Sequence, residues 1–320
     1  MSPHITIIPA STKAGKETIR HLLASPEKPS VRAVYRDTSK APAEYAEHPN
    51  FESVKGDVAD RDSLDFSDTD AVLYVPPPTY DQIDQADWAK QAATNVKSVL
   101  QAADVKKLVV LSGLGSQYDH GIVSKAPQPA KGHMLIIDAQ GLVRLNHHTD
   151  QVLENSVPEV TILQSTHFQE EFQYMFQMPL GDPPTISSWI APGDYQVPIV
   201  SVKDVGEMCA QHLLTKPGRS GTQSFKIMGP RLYSSNELRD IFEEVTGIKV
   251  ELGLAQGEDL KAFFRQLFPE HCIPDFMEMI ESSLPGGLIT KDYDYDENTL
   301  TGKVELLDTM RELSKKHGFA

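Results

Sequence analysis

His4-Ile5-Thr6-Ile7-Ile8-Pro9-Ala10-Ser11-Thr12-Lys13-Ala14-Gly15-Lys16-Glu17-Thr18-Ile19-Arg20 is the stretch on which the fold turns. Residues 4–8 form a short β-branched run, the composition of a buried strand. Ala14, Thr18, Ile19, Leu22 and Leu23 then recur at the spacing of one helix face. The reading is strand, tight polar turn, helix, with Gly15 the only glycine in the turn region.

The same rhythm continues downstream. Val31 to Tyr35, Phe51 to Val54 and Ala71 to Val75 read as strands, the last ended by Pro76, Pro77 and Pro78. Asp84 to Ala103 reads as a helix with Ala89, Ala92, Val96, Val99, Leu100 and Ala103 on one face. Leu108 to Leu111 and Val160 to Leu163 supply two more strands. Alternating strands and helices of this kind imply an α/β fold with a doubly wound parallel sheet, the Rossmann arrangement. Beyond about residue 164 the pattern breaks into Pro- and Gly-punctuated segments, including Met178 to Pro198. The expected organisation is therefore a dinucleotide-binding region over 1–164 and a smaller, mainly helical substrate-binding cap over 165–320. A strand at 199–202 and a helix at 204–214 are expected to return to the first region. Ser234-Ser235-Asn236-Glu237 is a capping box opening a helix through Val245, which Gly247 stops. Further helices are expected around 259–268, 275–283 and 304–317.

The chain has 320 residues, 40% of them hydrophobic, enough for a real core. Lys plus Arg number 30 against 45 Asp plus Glu, and the net charge of −15 opposes nucleic acid and anionic membranes as general partners. Cys209 and Cys272 are too few for a disulfide framework and read as core thiols. No apolar run approaches the roughly 20 residues of a membrane span, so the expected location is cytoplasmic. The 11 histidines lack the helical pairing of a zinc site, and residues 292–297 lack the ligand spacing of a calcium loop, so no metal is expected.

In a phosphate-binding turn, glycines serve a tight bend, backbone approach to the pyrophosphate, and close packing of helix on strand. Residues 9–15 resemble the Gly-Ala-Thr-Gly-x-x-Gly pattern of atypical short-chain dehydrogenases/reductases of the NmrA-like kind, with Pro9 and Thr12 in place of glycines and Gly15 retained. Further stretches are similar to the same family over roughly residues 4 to 250. They are Val31 to Lys40 with its strand-terminal Arg36, Gly56-Asp57-Val58, Val75-Pro76-Pro77-Pro78, Val105 to Ser112, and Thr161-Ile162-Leu163-Gln164. The resemblance implies a bound NADP(H), with Thr12, Lys13, Gly15, Arg36, Lys40, Asp57 and Pro77 as its binding residues. Asp57 would lie near the adenine and Pro77 beside the nicotinamide. Arginine at the end of the second strand suits a 2′-phosphate, whereas an acidic residue there would bind a 2′-hydroxyl. The alternative for Arg36 is a solvated surface residue.

The usual catalytic pair of the family, a tyrosine with a lysine four residues on, is missing. With Asp150 in the acidic position that follows the lysine by four, Asn146 replaces the lysine and Leu142 the tyrosine. Tyr118 and Lys125 do not have the family spacing either. Ser112 at the end of the fifth strand, His133 in the segment after it, and His167 after the sixth strand are the candidate catalytic residues. The same loop carries His120 and Lys131, and each of these loop residues also reads as merely exposed.

Three functions remain open at this level. The first is an NADP-dependent oxidoreductase acting on a small, apolar or aromatic metabolite with a proton donor other than tyrosine. The second is a redox-neutral isomerase, cyclase or dehydratase with weakened or lost cofactor binding. The third is a non-catalytic NADP-sensing regulator.

Overall fold

The run at 4–8 does form a strand, β1 (His4–Ile8), and it lies inside the main sheet rather than at an edge. It leads into α1 (Lys13–Ala24), followed by β2 (Ser30–Tyr35), β3 (Phe51–Lys55), β4 (Ala71–Tyr74), α2 (Gln85–Ala102), β5 (Lys107–Gly113), α3 (Val143–Leu153) and β6 (Glu159–Ser165). The second half holds β7 (His167–Phe168), α4 (Tyr174–Gln177), β8 (Thr185–Ser188), β9 (Gln196–Val200), α5 (Val202–Leu214), β10 (Gly221–Met228) and β11 (Leu232–Ser234). After these come α6 (Ser235–Thr246), β12 (Glu251–Leu254), α7 (Gly257–Arg265), α8 (Ile273–Ser282), β13 (Thr299–Thr301) and α9 (Leu306–Lys316). This computed structural model describes residues 2–119, 141–216, 218 and 220–319. Among them, no helix is long and apolar enough to cross a membrane.

The main sheet has eight strands in the order β3-β2-β1-β4-β5-β6-β10-β13, all parallel. Alternation along each strand decides what covers it. Ile5 and Ile7 pack with Ala14, Ile19 and Leu22 of α1 and Val205 and Cys209 of α5. Val72, Tyr74, Leu108 and Val110 face the opposite layer, with Ala92, Val96 and Leu100 of α2 and Leu153 of α3. A third core, built on α4 and α6 to α9, fills the cap. The strand β5 begins one residue earlier than its apolar run because Lys107 is buried against Glu159 of β6 at 2.9 Å and donates to the Thr215 carbonyl at 2.7 Å.

Two parts of the expected organisation change. The strand near residue 199 does not join the main sheet: β9 lies between β11 and β7 in a separate three-stranded sheet, while the helix after it, α5, does pack beside α1. The second half in turn gives β10 and β13 to the main sheet. The capping box at Ser234 and Glu237 opens α6, and Gly247 ends that helix at φ +71°.

Gly206 fixes how closely α1 and α5 approach. A Cβ there would lie 2.4 Å from the Glu17 Cβ and 2.7 Å from the Glu17 carbonyl carbon. Helix propensity alone favours alanine over glycine by roughly 1 kcal/mol. Overpacking against backbone costs about 1–3 kcal/mol and wins. Gly206→Ala is therefore predicted to lower stability by about 1–2 kcal/mol in urea unfolding; a more stable variant would show that the two helices separate freely.

Candidate functional site

The carboxyl ends of the parallel strands form one edge, and the sequence-derived residues of β1 to β6 gather there. In the first turn the Ile8–Pro9 peptide is cis, and the Ala10 amide donates to the Val34 carbonyl at 2.9 Å. Thr12 is the N-cap of α1: its hydroxyl accepts from the Gly15 amide at 3.0 Å and donates to the Pro9 carbonyl at 3.2 Å. This explains how a branched residue replaces a glycine, since the side chain turns inward and satisfies one of the unpaired amides of the helix start. Gly15 has no room for more, because a Cβ would stand 2.8 Å from the Thr12 hydroxyl and 3.0 Å from the Pro9 carbonyl oxygen. The amides of Lys13 and Ala14 have no protein acceptor among the described residues. With the positive end of the helix dipole they form an anion-binding edge.

Lys13 does not stand free beside those amides. Its ammonium pairs with Glu171 at 2.6 Å, across 158 residues of chain. Glu171 belongs to a 3₁₀ segment, Gln169–Gln173, whose neighbouring Glu170 accepts from the Ser201 hydroxyl and the Val202 amide at the start of α5. Burial raises the Glu170 pKa, and those hydrogen bonds work against the rise.

Arg36 and Lys40 lie exposed beyond β2, and neither side chain has a hydrogen-bonding or ionic partner among the described residues. Asp37 between them is held below its usual pKa by its hydrogen bonds with Ser39. Asp57 follows buried Gly56; one carboxylate oxygen accepts from the Ala59 amide at 3.0 Å, and its own amide donates to Ser63 at 2.9 Å. The carbonyl of Pro77 accepts from the Trp88 indole at 2.7 Å, and Gln85 brackets the Thr79 backbone through both ends of its amide. The proline segment is thereby tied down on the start of α2.

At the end of β5, Ser112 is buried and donates to Asp150 of α3 at 2.6 Å. One turn earlier, Asn146 covers Gly113, where a Cβ would lie 2.7 Å from its amide nitrogen. The face of α3 that carries Asn146 and Asp150 thus brings an amide and a carboxyl group to the strand end. His147 of the same helix hydrogen-bonds through Nδ1 to the Ser116 carbonyl at 2.8 Å. Tyr118 is engaged elsewhere: its hydroxyl donates to Asp292 at 2.8 Å, and Lys291 lies over its ring at 3.9 Å.

His167, past the end of β6, is half-buried against Trp189 with ring centroids 4.5 Å apart, and its Nε2 meets the Ser283 hydroxyl at 2.9 Å. Burial pushes its imidazole down to about 4. At neutral pH it is an uncharged hydrogen-bonding ring with no spare proton. His133, together with His120, Lys125 and Lys131, lies outside the described residues. Asp150 and Glu171 are the two groups at this edge that sequence reasoning did not propose. The first was visible only as a helix position four residues after Asn146. The second had no local signal at all.

Beyond the strand ends, the proline segment meets the cap through aromatic rings. Tyr80 stacks on Phe268 at 6.5 Å, and Phe268 stacks on Phe276 at 3.7 Å. Arg144 of α3 joins the two halves by pairing with Asp275 of α8 at 3.1 Å and Asp84 at 3.3 Å.

Known proteins share this architecture. A triphenylmethane reductase from Citrobacter sp. superposes with a TM-score of 0.72 at 19% identity, covering 98% of this chain and 99% of that one. An NADPH-dependent quinone oxidoreductase from Escherichia coli, solved with NADPH, gives 0.74 at 17% identity over 97% and 99%. A nucleoside-diphosphate-sugar epimerase from Staphylococcus aureus gives 0.67 at 13% over 97% and 99%. At these identities the likeness shows the fold alone. No curated protein matches the sequence. The sequence model of the NAD(P)H-binding family matches residues 10–213, from the first turn through the helix packed beside α1. With well over half of the chain matched, the protein belongs to the NAD(P)H-binding family.

Proposed function

We propose that this protein is an NADP(H)-dependent reductase of a small, apolar or aromatic organic molecule. The observation that carries the choice of NADP(H) is the unpartnered pair of cations, Arg36 and Lys40, at the end of β2. Two exposed cations with unpartnered side chains suit a 2′-phosphate, while the Asp37 carboxylate between them accepts from the Ser39 amide. The free amides of Lys13 and Ala14 fit the pyrophosphate, while Asp57 and Pro77 would border the adenine and the nicotinamide. NADPH, when bound, supplies a hydride. The chain's own residues do the rest: Ser112 offers a hydroxyl to the substrate oxygen, His167 contributes a neutral hydrogen bond, and the Tyr80–Phe268–Phe276 stack supports a flat apolar substrate. The named activities of the quinone oxidoreductase and dye reductase neighbours agree with this reading.

One observation favours the redox-neutral alternative. Glu171 places a carboxylate on Lys13, beside the very amides that a phosphate needs.

Titration with NADPH and NADH, followed by the fluorescence of Trp88 and Trp189, separates the two. NADPH is expected to bind at least tenfold more tightly than NADH, and Arg36→Ala to erase about a tenfold preference, as one charge-assisted hydrogen bond is worth roughly 1.5–3 kcal/mol. No saturable binding of either nucleotide at millimolar concentration would sink the reductase reading. Glu171→Gln is expected to tighten NADPH binding about two- to fivefold, the scale of an exposed ion pair. An unchanged Kd in that variant would mean that Lys13 and the phosphates do not compete.

A further inference from the structure

The mechanism above leaves the source of the proton open, and the end of α3 supplies a candidate. Asp150 is 9% exposed, lies at the carboxyl end of β5 and accepts from the Ser112 hydroxyl at 2.6 Å through Oδ2. Its other oxygen, Oδ1, is buried with no partner. A carboxylate in that state has a desolvated oxygen that nothing compensates, whereas the neutral acid leaves no charge stranded.

Among the described residues no cation pairs with Asp150. Ser112 faces Asp150 from β5 and Ser116 from the loop after it, with Gln164 of β6 donating to Ser116 at 2.9 Å. The packed face of α2 offers Ala89, Ala92, Ala93 and Val96, with Lys97 spent on the Val152 carbonyl at 2.9 Å, and α3 itself adds Asn146 and His147. Burial pushes the Asp150 carboxyl up to about 7, against the opposing pull of the Ser112 and Ser116 hydroxyls.

We infer that Ser112 and Asp150 form a buried proton-holding pair, with Ser112 donating to the substrate oxygen and Asp150 resupplying Ser112. This rests on the reductase reading. When Asp150 is ionised, the serine proton is committed to it. When Asp150 is protonated, its O–H donates to the serine oxygen and the serine O–H is released toward the strand edge. As a substrate oxygen takes on charge from the incoming hydride, the serine O–H bond breaks and a new O–H bond forms on that oxygen. The aspartic proton moves to the serine oxygen, and water reprotonates the carboxylate afterwards. Two electrons arrive with the hydride and one proton leaves Asp150, so the reduction balances. Asp150 acts through Ser112 and is a positioning residue, one turn along α3 from Asn146.

Two measurements on the full chain test the inference. Infrared titration should show a protonated-carboxyl C=O stretch that disappears with a midpoint near pH 7, is absent in Asp150→Asn, and shifts to a higher midpoint in Ser112→Ala. With NADPH and 1,4-naphthoquinone as probes, kcat should fall as pH rises through the same midpoint. Asp150→Asn should lose that step and about a hundredfold in kcat, the scale of general acid catalysis, with the Kd for NADPH unchanged. Asp150→Glu should restore a pH step at a displaced midpoint, which a structural role alone would not produce. A carboxyl ionised well below neutrality, or an Asp150→Asn enzyme that keeps the wild-type pH step, would overturn the pair. Failure of the wild-type chain to bind NADPH would overturn the reductase reading instead, and the infrared titration would still decide whether Asp150 holds the proton.

Discussion

The contact between the start of α1 and the end of β1 is the constraint from which the rest of the edge follows. Gly15 has no side chain, so the helix can approach until the Thr12 hydroxyl bridges the Pro9 carbonyl and the Gly15 amide. That bridge aims the first turn of α1 across the carboxyl ends of the strands. It also settles what the missing glycines mean. Thr12 is tolerated because it has become a cap, and the Lys13 and Ala14 amides are left without an acceptor among the described residues.

From this anchor the site divides by electrostatic character. Around β1 and β2 it is cationic and solvent-exposed, with Arg36 and Lys40 free and Lys13 held by Glu171. Around β5 it is buried, with the Ser112 hydroxyl on a carboxyl group whose pKa burial raises, and past β6 His167 is a neutral imidazole held by Ser283. A charged cofactor tail and a low-polarity reaction centre require that division, since fixed dipoles and protons act most strongly where water is excluded.

Much of the sheet was legible in the sequence, and the losses have physical causes. The strands β1, β2, β4, β5 and β6 are largely apolar or β-branched, and α2 carries a clear face. Strand β10 escaped because it opens with Gly-Thr-Gln-Ser and is buried only at Ile227 and Met228, and its outer neighbour β13 is only three residues long. Residues near 199 looked like one more strand of the main sheet, because local pattern cannot say which partner a β-branched run will find. At the site, Ser112 was legible from its place at a strand end. Its bond to Asp150 was not, since a carboxyl group 38 residues away becomes an acid only through the burial that folding imposes. His167 shows the converse: the right place, with its titration moved away from neutrality by the cap around it.

The late arrival of β10 and β13 in the main sheet has a consequence for how the molecule is held together. Strand β6 pairs with β10 over seven residues, from Glu159 to Ser165, so the segment that looks like a self-contained nucleotide domain would end on an open ladder of amides and carbonyls if cut at 164. Unpaired edges of that length recruit other chains. The two halves therefore share one sheet, and the outermost strand of the first half is shielded from intermolecular pairing only once residues 221–228 have paired with it.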